Sequence, residues 1–323
     1  MDIYFEEKYG KLDEFIEDGK SQLFEYEDVN GAVRNLFMLR EIPQLIDGQK
    51  YFDIRTPYGY GGPLVTCVDG DRELLVKNYM DSFKSYCLEH NIVSEFIRFH
   101  PVIDNASDFL DVMNIEGNRN TVCTYFRDGE DVFMDEFHKS ARKKCRKILR
   151  DGVRYEVIEH PANLDTFIKI YYDTMDRNEA GDSYYFKPGY FSYMLENFSD
   201  NLINVNVYSP DDVCIASGIY FVYGKNMHAH LSGTLHEYLY LSPAYILKYA
   251  TAEYGMTHGL DYIHYGGGTS SSDDDSLLRF KMKFTKSDLC TFKVGKNIYN
   301  TDIYDKLVEV ADPKNDYFPL YRG

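Results

Sequence analysis

Two stretches of this chain run through the same succession of elements, and no other feature narrows the fold as much. In the first, extended segments on either side of Asn30-Gly31, a strong hairpin signal, precede a helical pattern of Leu75, Tyr79, Phe83 and Tyr86. That helix ends at His90-Asn91 and feeds the extended "SEFIRFH". In the second, a meander over residues 202–208, 213–223 and 226–234, turned by "SPDD" and "YGKN", precedes another helix. It starts at Ser242-Pro243, an N-cap followed by proline, stops at His258-Gly259 and feeds "DYIHYGG". Strands joined through a helix are usually parallel neighbours and strands joined by a hairpin antiparallel. A mixed sheet arising twice implies an α/β chain of two tandem domains. The repeat is one of pattern, with no strong residue-level identity.

The segment between the two modules is "DEFHKSARKKCRKILRDG", residues 135–152. Phe137, Ala141, Cys145, Ile148 and Leu149 mark one narrow helical face, and Lys139, Arg142, Lys143, Lys144, Arg146, Lys147 and Arg150 cover the rest. We read it as a basic connecting helix between a first domain, residues 1–134, and a second, residues 153–323. It stands out because the chain carries a formal charge of −17. That balance argues against wholesale binding of a phosphate backbone but leaves room for one local basic surface. In the second domain, strand "VRYEVIE" is followed by a helix from Pro161 with Leu164, Phe167, Ile168, Tyr171 and Met175 on one face. The six cysteines are scattered, with no C-x-x-C pair. They read as reduced thiols of a cytoplasmic protein. Neither a signal peptide nor an apolar run long enough to span a bilayer is seen, so no membrane insertion is expected.

Several residues carry possible chemistry. In "TPYGYGGPL", Tyr58, Tyr60, Gly61 and Gly62 form a turn whose backbone amides suit an anion and whose rings suit a sugar nucleotide; a wide hairpin turn with surface tyrosines is the plainer reading. By the two-residue period, His228, His230 and Ser232 share a strand face, with His264 on the next strand. They suit a general base or plain packing; no H-x-x-x-H helix or cysteine pair supports a metal. Arg177, after Thr174, suits a phosphate or carboxylate unless Asp173 or Asp176 takes it. Lys281 beside Phe280 suits an oxyanion or a phosphate, with the ring stacking a base; the alternative is an amphipathic helix with Lys281 exposed. "SSSDDD", residues 270–275, reads as a loop and helix start rich in caps. Nucleophile, P-loop and dinucleotide motifs are absent.

Four stretches, in this order, resemble the Fem family of peptidoglycan interpeptide-bridge aminoacyltransferases. They are "TPYGYGGPL", "KSARKKCRKILRDGVRYEV", "IYYDTMDRNEAGDSYYF" and "YIHYGGG…LLRFKMKF". The resemblance implies two tandem acetyltransferase-like (GNAT) domains, here without the helical-hairpin insertion of some members. It departs from the family at Gly61, where an arginine is usual near Gly62-Pro63, and after Arg177, where a second arginine is usual. It implies an amide-forming transfer from aminoacyl-tRNA to an amine of a peptidoglycan precursor. Lys281, Phe280 and His230 would be catalytic, and Arg40, Tyr58, Tyr60, Gly61, Gly62, Arg177 and Tyr185 would bind the phosphorylated sugar-peptide acceptor. No resident cofactor is expected. Acetyl-CoA on an amino sugar or small amine is the alternative, and a non-catalytic sugar-nucleotide binder a third reading. A GNAT domain grips coenzyme A through a glycine-rich turn before a helix. The equivalent "GTLHEYLYLSPAYILKYA" has no glycine after Gly233 and carries Glu237, which argues against an ordinary acetyl-CoA site.

Overall fold

The computed structural model describes every residue except Glu17, Asp128, Glu130, Ser271, Asp273, Asp312 and Lys314, together with the side chain of Ser183. The chain forms two compact units. One comprises residues 1, 3–119 and 291–323, and the other residues 2 and 120–290. The basic helix therefore lies inside the second unit, and the closing 33 residues belong to the first. Among the described residues no helix is long and apolar enough to cross a membrane.

The first unit is built on a mixed sheet. Lys20–Asp28 and Gly31–Glu41 pair antiparallel from Asp28 opposite Gly31, the hairpin that Asn30-Gly31 predicts. Phe52–Arg55 adds antiparallel to the second strand and pairs parallel with Ile92–Arg98. The last strand comes from the end of the chain, with Val294 opposite Arg98 and Ile298 opposite Ser94. The helix Arg72–Glu89 is capped by Asp71, which accepts from Leu74 N, and buries Leu75, Tyr79, Phe83 and Cys87 against Phe37, Ile54 and Ile97. Asn91 takes the left-handed conformation at its end (φ 56°), as expected of asparagine there.

Two helices of this unit escape the periodicity reading. Glu7–Asp13 opens the chain, and its Gly10 lies so close to the hairpin that a Cβ would sit 2.1 Å from Ser21 Oγ. Thr301–Ala311 closes on the core through Tyr304 and Leu307. Near the sheet centre Glu95 is buried. Its carboxylate accepts from Asn35 Nδ2 (3.3 Å), Asn297 Nδ2 (3.0 Å) and the Tyr299 hydroxyl. Burial raises its pKa against the opposing pull of these bonds.

In the second unit the strands are again of mixed direction. From one edge the order is Arg154–Glu159, Leu202–Tyr208, Cys214–Tyr223, Asn226–Thr234, Tyr262–Gly267 and residues 120–125. Every pairing is antiparallel except that of Asn226–Thr234 with Tyr262–Gly267. Those two strands are joined through the helix Ala244–Thr257, as the crossover rule requires. Lys139–Arg150 is a single helix that sinks Ala141, Cys145 and Ile148 into the core and leads into Arg154–Glu159 with no hairpin between them. The helix predicted from Pro161 begins at Asp165 and buries Phe167, Ile170, Tyr171 and Thr174. Ile168 and Met175 flank that face instead, because Thr174 turns inward to bond the adjacent strand.

Candidate active site

The sheet of the second unit parts at one place. Asn226–Thr234 and Tyr262–Gly267 pair in parallel only over Asn226–Tyr262, Met227–Ile263 and His228–His264. Past that point each strand carries an extra residue: His230 against Cys214–Tyr223, and Tyr265 against residues 121–125. A bulge adds twist and re-aims the side chain it carries. The expectation that His228, His230 and Ser232 share one face is therefore overturned. The bulge shifts the alternation by one, so Leu231 follows His228 on the buried side and Ser232 is exposed.

Beyond the split lie two amines. Lys248, on the helix Ala244–Thr257, is 9% exposed, and its Nζ rests 4.1 Å above the centre of the Tyr265 ring. Lys281 Nζ donates to the Gly267 carbonyl at 2.6 Å. Gly266 lies between these contacts in the left-handed region (φ +72°), and a Cβ there would approach Lys281 Nζ at 3.7 Å. Neither lysine pairs with a carboxylate among the described residues. Burial pushes Lys281 down to about 8, with Asp275 pulling the other way. Burial also lowers Lys248 well below the ordinary lysine value, and the charge of Lys281 adds to the effect. Lys248 was missed in the sequence because it occupies an otherwise apolar helical face; a lone lysine in "PAYILKYA" is the only signal.

Lys281 is held by its own helix start. Asp275 Oδ1 accepts from Leu277 N (3.0 Å) and Leu278 N (2.9 Å). Its Oδ2 accepts from the backbone amides of Thr269 and Ser270 and from both of their hydroxyls. The Thr269 hydroxyl and these amides hold the carboxyl far below the usual range. This is the capping role predicted for the "SSSDDD" loop, although Ser271 and Asp273 fall outside the described residues. Gly268 packs against Asp275, where a Cβ would meet Oδ1 at 2.3 Å. Phe280 is half-buried, edge-on to Tyr245 and Phe284 at 5.1 Å from each.

The remaining predicted residues of this unit sit on the other strand and its covering helices. The Tyr190 hydroxyl lies 2.6 Å from His230 Nε2. Arg177 Nη1 donates to the Thr234 carbonyl at 2.7 Å, which Thr174 Oγ1 also reaches, and it lies 3.8 Å from Asp173. Tyr185 bonds Asp176 at 2.7 Å and stacks on Tyr172. Buried His228 bonds Asp2 at 2.9 Å. Where a GNAT pyrophosphate turn would lie, His236–Leu241 forms a 3-10 helix with Glu237 in its first turn. Two amides there are already engaged, Tyr238 N with Leu235 O and, just past the helix, Ser242 N with Leu239 O. Ser242 has a positive φ of 57° and makes no side-chain cap, contrary to expectation; the helix begins from Pro243.

In the first unit, Arg40, Arg55 and Arg98 converge with Tyr58, Phe96, Tyr317 and Phe318 around a cavity of about 60 Å³. Arg40 bonds Asp53 at 2.8 Å, and Arg55 pairs with Asp13 at 2.8 Å. Exposed Arg98 has no carboxylate partner among the described residues and lies over the Phe96 ring at 5.7 Å. Arg40 and Tyr58 were predicted; Arg55 and Arg98 were missed because each reads as an ordinary strand residue. The Tyr58 amide is fixed on Asp13 at 2.8 Å. Tyr60 packs among Tyr4, His100 and Phe292. The glycines of this turn answer to packing within the unit. At Gly62 (φ +83°) a Cβ would lie 2.5 Å from Ile97, and at Gly59 2.7 Å from Tyr4. Gly61 N bonds the Arg98 carbonyl at 2.8 Å.

Comparison with known proteins agrees with the fold. The acetyltransferase (GNAT) domain family matches residues 135–282. The UDP-N-acetylmuramoylpentapeptide-lysine N(6)-alanyltransferase of Weissella viridescens is 24% identical over 236 residues, 72% of this chain and 66% of that protein, so the match spans just under two thirds of the relative. The crystal structure of FemX superposes with a TM-score of 0.68 at 13% identity, covering 94% of both chains. The C-terminal domain of a putative lysylphosphatidylglycerol synthetase from Agrobacterium fabrum gives 0.56 at 12% identity over 90% of both.

Proposed function

We propose that this chain, whose fold is that of the Fem-like GNAT acyltransferases, forms an amide bond by moving an aminoacyl group from aminoacyl-tRNA to a precursor amine. The acceptor is a phosphorylated sugar-peptide of the kind named for the Weissella viridescens relative. The observation that carries the reading is the amine pair beside Tyr265-Gly266-Gly267, together with the 3-10 helix His236–Leu241 where a pyrophosphate turn would lie.

The acceptor nitrogen attacks the ester carbonyl carbon of the donor. The C–N bond forms, the carbonyl π pair moves to oxygen, and collapse breaks the C–O bond to the tRNA 3′ end. One N–H of Lys281 is committed to Gly267 O, which aims the others at a developing oxyanion. Charge at this point is worth more because the group is half-buried. Arg98, with Arg40 and Arg55 behind it, suits the acceptor's phosphates. The exposed residues Lys139, Lys143, Lys147 and Arg150 give the donor's phosphates a basic face on an acidic protein.

The test is transfer of radiolabel from total tRNA, charged with a mixture of labelled amino acids, to UDP-N-acetylmuramoylpentapeptide bearing lysine. Labelled acceptor that vanishes on ribonuclease pretreatment supports the reading. Transfer from acetyl-CoA alone would replace it with the second reading, an acyl-CoA-dependent N-acyltransferase, which the GNAT family match favours.

A further inference from the structure

We infer that Lys248 is the proton acceptor of this site, one of two lysines, with Lys281, whose amines flank Tyr265-Gly266-Gly267. The inference deepens the proposed reaction and rests on it for the role of Lys281.

The geometry carries it. Lys248 reaches the Tyr265 ring from the helix Ala244–Thr257, and Lys281 reaches Gly267 from the helix Ser276–Lys281, so two amines flank one three-residue stretch. That stretch begins where the parallel pairing ends, and it opens with the bulge residue Tyr265. A long lysine stem inside an apolar helix face is an odd choice for packing, because Lys248 meets no acid among the described residues. The Tyr265 ring from the strand lies against its nitrogen, and the charge of Lys281 from the other helix acts on it. Asp275, the nearby carboxylate, acts on Lys281. Two ammonium groups so placed repel, and the more deeply buried one gives up its charge first. Lys248 is then the readier of the two to take up a proton from a substrate, and Lys281 the readier to keep its charge. A pair of like groups driven to opposite protonation states is the arrangement that divides acid and base duties.

The step balances without any added reactant. The acceptor enters as an ammonium ion and gives one proton to Lys248 Nζ. The freed nitrogen lone pair forms the C–N bond to the ester carbonyl carbon, and Lys281 donates a hydrogen bond to the oxyanion. As the ester C–O bond breaks, the proton on Lys248 passes to the departing oxygen. Lys248 is then neutral again, and the second proton of the new amide nitrogen leaves to solvent.

The test has two arms on the full chain. In the first, lysine side chains labelled with ¹⁵N and ¹³C are titrated by NMR, with the Lys248 signal identified by its loss in Lys248→Arg. Lys248 should titrate below Lys281 and move up by a unit or more in Lys281→Met. Titration near the ordinary lysine value, or no response to Lys281→Met, overturns the pairing. In the second, kcat and KM are followed against pH with charged tRNA and UDP-N-acetylmuramoylpentapeptide. Lys248→Met should lower kcat by about 10²–10⁴-fold, abolish the acid limb and leave KM nearly unchanged; methylamine should restore part of the rate to Lys248→Ala. A folded Lys248→Met retaining half of wild-type kcat, or keeping the acid limb, overturns the base role. Should Lys248→Met fail to fold, Lys248→Gln takes its place, and the NMR arm on the wild-type protein decides the pairing regardless. Absence of turnover by the wild-type protein with any donor sinks the proposed reaction and the base role together, whereas a normal Lys248 titration in an active enzyme sinks this inference alone.

Discussion

The Tyr190 hydroxyl oxygen and His230 Nε2 are 2.6 Å apart, and the imidazole they fix is uncharged throughout the physiological range. Burial, with His228 nearby, pushes His230 down to about 3. A histidine so placed is a weak base, though it can orient Tyr190. His230→Gln should therefore lower kcat/KM by less than about tenfold and leave every limb of the pH profile in place. Loss of a limb between about pH 5 and 7 would return the base role to histidine.

Lys281 is charged below its pKa of about 8 and neutral above it. Wild-type kcat should fall as pH rises through that value, and Lys281→Met should lower kcat by about 10²–10³-fold with little change in KM. Its effect on stability has the opposite sign. Folding disfavours the charged amine, so the unfolded chain binds more protons between about 8 and the ordinary lysine value of 10.5. Stability from this group rises with pH across that window, and Lys281→Met should raise Tm at pH 7. Urea unfolding at pH 7 and pH 9 checks both signs.

Asp275 has a lowered carboxyl pKa, so its contribution is present above the ordinary aspartate value of 3.8 and is lost as pH falls below it. Asp275→Asn should flatten the acid side of the stability curve. It should also loosen the loop that carries Gly267 and reduce kcat roughly tenfold, since small misplacements of an aimed donor are costly. Equal acid sensitivity of wild type and variant would refute this.

Arg98→Ala should raise KM for the precursor by about 10–100-fold with kcat nearly unchanged, the value of one charge-assisted contact to phosphate. Arg55→Ala behaves differently. It removes the guanidinium from Asp13, whose side chain is 1% exposed and keeps the Tyr58 amide, and should destabilise the protein by about 3 kcal/mol. Steady-state kinetics and urea unfolding separate the two.

Gly62→Ala places a Cβ 2.5 Å from Ile97 at a φ of +83°. It should cost about 2–4 kcal/mol in chemical denaturation, whereas Gly48→Ala, with open space around it, pays only the strain of its φ of +78°.

The paired modules were legible because their signals are local. Asn30-Gly31, the meander turns and Pro243 each fix a chain reversal or a helix start within a few residues. The Fem-like order of motifs added the fold, and FemX bears it out. What stayed hidden depends on partners distant in sequence. The bulges at His230 and Tyr265 obey no two-residue rule, so the face assigned to Ser232 was wrong. Lys248 is visible only once Tyr265 and Lys281 are brought to it. Arg55 and Arg98 become a site only when the first unit is assembled around Asp13.

The strand that completes the first sheet is made last. A ribosome releases residues 1–119 long before residue 297 exists, and until then Glu95 has neither Asn297 nor Tyr299 to receive its buried carboxylate. The amino-terminal unit therefore lacks these partners during synthesis, whereas residues 120–290 draw only residue 2 from outside their own stretch. Nascent chains stalled near residue 290 should therefore bind chaperones through their amino-terminal part.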